Sequence, residues 1–232
     1  MSKAKKDMCL TQNQLMPTVG KPPSSTPSSE TGVGACLNIG MGSIIPRWDI
    51  VRIRNRKLLY FIRKDSFPDR YTAQRAEAAF RAAAQEWNNV GFGLRFEAVS
   101  NLLDAHFHLV YSTASTLYAK AFFPNSVRDV EVYPNAFDPK RAKDGLKKTF
   151  MHELGHILGL RHEFAIKNKE LGNPVQFMKP NEFSIMAYGE QRDLQESDKY
   201  GVTAFYRLPN GYKYMGRPIT DFAPVAKRFI KR

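Results

Sequence analysis

Residues 152–163, HELGHILGLRHE, hold three of the chain's five histidines and two of its glutamates, and they restrict the fold more than any other stretch. On an α-helix, residues four apart are neighbours on one face, so His152 and His156 can aim their imidazoles at a single point. A divalent zinc ion takes that geometry from its first two ligands. Glu153 lies about 100° round the helix from His152, able to reach a water on the same ion. If the helix continued, His162 would sit about 240° from His156 and roughly 9 Å further along the axis, unable to share the ion. The chain must therefore leave the helix between them. Gly159 stands at the required place, because glycine adopts the left-handed conformation that ends helices and lets the backbone double back. A bare HExxH arises by chance in about one chain of this length in a hundred, whereas the longer pattern does so about once in a hundred thousand.

The surrounding pattern supplies a scaffold. Residues 145–160, GLKKTFMHELGHILGL, read as a helix with Leu146, Phe150, Leu154, Ile157 and Leu158 on its buried side. A second amphipathic helix spans residues 72–87, with Ala73, Ala76, Phe80, Ala83 and Trp87 spaced by three and four and Thr72 as its cap. Strand-like runs occupy residues 57–65 and 129–134 and begin at Leu94, Ala105 and Leu117. This order predicts an α/β or α+β domain over residues 46–232, with a mixed sheet and an irregular C-terminal portion. Residues 1–45 contain KPPSSTPSSETGVG, which is too poor in apolar surface to offset its ordering entropy, and read as a flexible Ser/Pro-rich tail. Both cysteines, Cys9 and Cys36, fall in that tail, so no disulfide framework holds the core.

Charge narrows the choice of partner. Thirty-five Lys and Arg against 22 Asp and Glu give a net charge of +13, which favours anionic partners. The basic residues are scattered, with modest clusters at residues 3–6, 140–148 and 227–232, so a specific nucleic-acid site is not expected. No run approaches the roughly 18 apolar residues of a membrane span. The charged start is followed by no apolar segment, so no conventional signal peptide is expected and the chain reads as cytoplasmic or non-classically secreted.

HELGHILGLRHE resembles the HExxHxxGxxH signature of the metzincin clan of zinc endopeptidases, and Glu163 directly after the third histidine resembles the astacin family in particular. Downstream, SIMAYG at residues 184–189 is similar to the Met-turn of that clan, in which a methionine, here Met186, underlies the zinc site. Tyr188 falls where astacins and serralysins carry a tyrosine that ligates zinc and swings away during catalysis. The likeness spans roughly residues 55–208 and is specific at the two motifs alone. The chain lacks the disulfides common in astacins.

The resemblance implies an α+β zincin fold, with a mixed twisted sheet, two long helices and an irregular C-terminal subdomain, and one Zn2+ per chain, held by His152, His156 and His162 with Tyr188 as a further ligand. It also implies a monomeric endopeptidase acting on polypeptides, from a family that is mostly secreted. Three neutral imidazoles leave a coordination position for water, whose pKa the ion lowers, and Glu153 acts as general base. Tyr188 would donate a hydrogen bond to the oxyanion, and Glu163 would be structural. An extended substrate would add beside residues 116–123, TLYAKAFF, with Lys120 favouring acidic sequences. His106 and His108 alternate along a strand without an acidic cluster and read as structural. Two other functions stay open: a catalytically inactive zinc-binding relative acting as a binding module, and a basic nucleic-acid-binding module whose affinity falls steeply with salt.

Overall fold

A computed structural model describes residues 37–189 and 192–224. Cys9, Cys36 and the expected tail lie outside them, apart from residues 37–45. Those residues belong to the fold, which begins earlier than position 46: Leu37, Asn38 and Ile39 are buried. A strand this short carries no periodic signal in the sequence.

The largest sheet has five strands in the order β4(Arg95–Ala98), β3(Lys57–Ile62), β5(Phe107–Tyr111), β7(Val130–Val132) and β6(Ala119–Lys120). The first four run parallel, and β6 pairs antiparallel with β7 at the edge. Strict alternation of buried and half-buried residues along β3 explains its extended form. The stretch expected to receive substrate thus contains the edge strand. A second sheet joins β8(Leu160–Arg161), β1(Asn38–Ile39) and β9(Val175–Gln176) in antiparallel pairs. The third joins β10(Lys213–Tyr214), β11(Arg217–Phe222) and β2(Ile45–Trp48), with β11 and β2 parallel.

Helix α1 covers Arg70–Val90, with Ala73, Ala76, Phe80, Ala83, Ala84 and Trp87 buried. Its cap is Asp69, which accepts the Thr72 N–H at 2.7 Å, so the start lies before the expected Thr72. Helix α2, Gly145–Ile157, packs against it. Trp87 Nε1 donates to the Met151 carbonyl at 2.8 Å, and Phe80 stacks edge-on to both Phe150 of α2 and Tyr60 of β3. The apolar core therefore lies between the helix pair and the five-stranded sheet. A third helix, α3(Glu196–Arg207), occupies the portion expected to be irregular. It is tied to β2 by Arg47, which donates to the carbonyls of Phe205 and Leu208 and pairs with Asp221 of β11.

The two outlying histidines have partners in the sheet or beside it. His106 Nδ1 accepts the Leu59 N–H at 3.0 Å, and His108 Nδ1 lies 3.2 Å from an Asp129 oxygen. Among the described residues, no helix is long and apolar enough to cross a membrane.

Candidate metal centre

Helix α2 stops at Ile157, and Gly159 follows with φ +93°. Two constraints hold glycine there. The left-handed conformation disfavours any side chain, and a Cβ would stand 2.6 Å from the Pro46 carbonyl oxygen. The turn hands the chain to β8, which pairs with β1. Asn38 of β1 then donates its side-chain amide to the carbonyls of His162 and Glu163, at 3.1 and 2.6 Å. These contacts fix the backbone that presents the third imidazole.

His152, His156 and His162 come together, each offering one ring nitrogen, and these three atoms lie within 4.8 Å of one another. All three residues are fully buried. The hydrogen bonds on the far side of each ring decide where the protons are. His152 Nδ1 donates to the Ile185 carbonyl and His156 Nδ1 to the Leu160 carbonyl, both at 2.8 Å. A carbonyl can only accept, so each of these rings carries its proton on Nδ1 and turns a bare Nε2 lone pair inward. His162 Nδ1 faces the Glu170 carboxylate at 2.9 and 3.0 Å, which fixes the same tautomer.

The Nε2 atoms of His156 and His162 stand 3.2 Å apart with no proton to share, and buried His152 Nε2 has no hydrogen-bond partner among the described residues. Mutual protonation is no remedy: burial pushes all three pKa values below the ordinary histidine range. The neighbouring Arg192 charge reinforces this at His152, and the His162 charge does so at His156. Three converging lone pairs in a dry site fit a cation, and three imidazoles form a zinc ligand set. The cluster is a site for one metal ion of the Zn2+ type.

Glu153, next along α2, is wholly buried. Met186 is also fully buried, and it lies so close to α2 that a Cβ at Gly155 would collide with its sulfur. The Met186 carbonyl accepts the Glu163 N–H at 2.9 Å. The Glu163 carboxylate accepts the Asn181 N–H at 2.8 Å, a bond between two loops. Tyr188 places its hydroxyl 2.8 Å from His162 Nδ1 and donates to Glu170. It thus meets His162 at the nitrogen that faces away from the cluster.

Two residues that sequence reasoning passed over complete the support. Asp198, in the first turn of α3, accepts the Ser184 hydroxyl at 2.6 Å and the Ile185 N–H at 3.1 Å, so it holds the segment whose carbonyl orients His152. Glu170 orients His162. Neither makes a helical-turn contact with the residue it serves; the QESD run that opens α3, in which Gln195 and Asp198 form a reciprocal cap, is the one local signal available, and it marks the helix start.

No protein-family model matches the sequence, and no curated protein does. Among solved structures, the chain is similar to high choriolytic enzyme 1, a hatching enzyme zinc-protease from the medaka fish Oryzias latipes. The TM-score is 0.45 at 16% sequence identity, covering 70% of this chain and 95% of that one.

Proposed function

We propose that this chain is a zinc-dependent endopeptidase in which His152, His156 and His162 hold the ion. The observation that carries the reading is the convergence of three buried lone pairs whose tautomers are fixed by Ile185, Leu160 and Glu170. Zinc bound there supplies Lewis acidity to a peptide carbonyl and to a water beside it.

Glu153 adjoins the first ligand and serves as general base, taking a proton from the attacking water at its carboxylate and returning it to the leaving amine. Tyr188 is the mobile hydroxyl of the site. On leaving Glu170 it would donate a hydrogen bond to the developing oxyanion, and the same movement would let it act as a further metal ligand. Met186, in the SIMAYG segment, serves as the apolar floor of a Met-turn. An extended polypeptide would add beside β6, which among the described residues has β7 as its one strand neighbour in the sheet. Lys120 on that edge would favour acidic sequences, and the working unit is a single chain.

The test is Glu153→Gln. This variant is expected to keep one zinc per chain while casein cleavage falls about 10²–10⁴-fold, the usual contribution of a positioned general base. Unchanged cleavage in the variant would eliminate Glu153 as base. Absence of chelator-sensitive cleavage by the wild-type protein would leave a zinc-binding module without turnover.

A further inference from the structure

Glu170 lies eight residues beyond His162, and the intervening loop returns it to that ring. The loop closes through the Ala165 N–H, which donates to the His162 carbonyl at 3.1 Å, and the Glu170 N–H, which donates to the Ala165 carbonyl at 2.9 Å. Three donors then meet on one carboxylate. His162 Nδ1–H lies 2.9–3.0 Å from its two oxygens, the Tyr188 hydroxyl donates to Oε1, and Arg161 Nη2 stands 3.4 Å from Oε2. Arg161 is wholly buried and is held in turn by the Leu171 carbonyl at 2.7 Å and by the Phe123 ring.

We propose that Glu170 is a positioning residue of the metal centre with two tasks: it fixes the His162 tautomer and ring orientation, and it docks the Tyr188 hydroxyl away from the histidine cluster. The inference rests on reading the three histidines as a metal site. The geometry serves both tasks at once: the two carboxylate oxygens face His162 Nδ1, and Oε1 also accepts the Tyr188 hydroxyl. A carboxylate behind a ligating histidine raises its basicity and restricts its rotation, and loss of such a partner typically weakens metal binding about 10–100-fold. Withdrawing this carboxylate would also leave the Tyr188 hydroxyl free to turn toward the lone pairs.

The test measures zinc affinity by competition with a chromophoric chelator for wild type, Glu170→Ala and Glu170→Gln, with thermal unfolding as the check on folding. Glu170→Ala is expected to bind zinc about 10–100-fold more weakly. Glu170→Gln should fall between, because its amide oxygen still accepts one bond, and it carries the test if the alanine variant does not fold. An affinity within about twofold of wild type in any folded variant overturns the first task. For the second, the Cu2+-loaded wild-type protein at rest, without peptide, should lack a phenolate-to-copper absorption band, and a band there that Tyr188→Phe removes would overturn docking. Failure of the wild type to take up stoichiometric zinc would instead refute the metal site itself, and that result is distinct from equal affinities.

Discussion

Asp198 accepts a hydrogen bond from the Ser184 hydroxyl at 2.6 Å, and through this contact helix α3 braces the loop that lies behind His152. The same carboxylate takes the Ile185 N–H, and the Ile185 carbonyl takes the His152 proton. Orientation of the first ligand thus depends on a side chain 46 positions further along the chain, whose own capping run announces a helix start and not this contact.

Asp198→Asn should therefore destabilise the fold and loosen the site together. The amide keeps one acceptor oxygen for the backbone N–H groups but presents a donor to Ser184, at a cost of about 1–3 kcal/mol. Urea unfolding measures the stability, and zinc competition should show weakened binding. A variant with wild-type midpoint and wild-type affinity contradicts the brace.

Gly159→Ala should be more severe than an ordinary glycine replacement. The residue combines φ +93° with a close approach to Pro46, so both strain and collision act, costing about 2–4 kcal/mol. Because the turn delivers His162, zinc affinity should fall with stability. Replacement at Gly91, also left-handed at φ +73° but with open space around it, should cost less and leave zinc binding unchanged.

The pH dependence follows from the buried imidazoles. Their pKa values are lowered on folding, so the unfolded chain takes up protons near pH 6.5 that the folded chain refuses. The stabilisation is present in full above that value and is lost progressively as pH falls from there toward the lowered folded-state values. With three such groups, the slope for metal-stripped protein approaches about 4 kcal/mol per pH unit. Urea midpoints at several pH values between 7.5 and 5 measure it. A flat profile would contradict burial of three neutral rings.

Legibility in the sequence follows the range of the interactions. His152, His156 and Gly159 declare themselves because a helix and its termination are local, and α1 because small and aromatic residues recur at helical spacing. The need for His162 to return was readable, but the means were not. Asn38, which secures its backbone, is 124 residues away. Glu170 and Asp198 act across loops that have no period. Helix α3 was hidden by Gly201, Val202 and Thr203, which weaken helical propensity in ESDKYGVTAFYR; its burial against the rest of the chain sustains it instead. The β1 strand eluded composition because a strand of two residues, Asn38 and Ile39, leaves almost no trace.

The most direct measurement of the metal centre is the zinc content of purified protein, by elemental analysis, for wild type and for His162→Ala. The expected result is one zinc per wild-type chain and a marked loss in the variant, whose fold is checked by its circular dichroism. Equal zinc content in the two proteins, or none in folded wild-type protein exposed to zinc, would contradict the convergence of the three imidazoles on one ion.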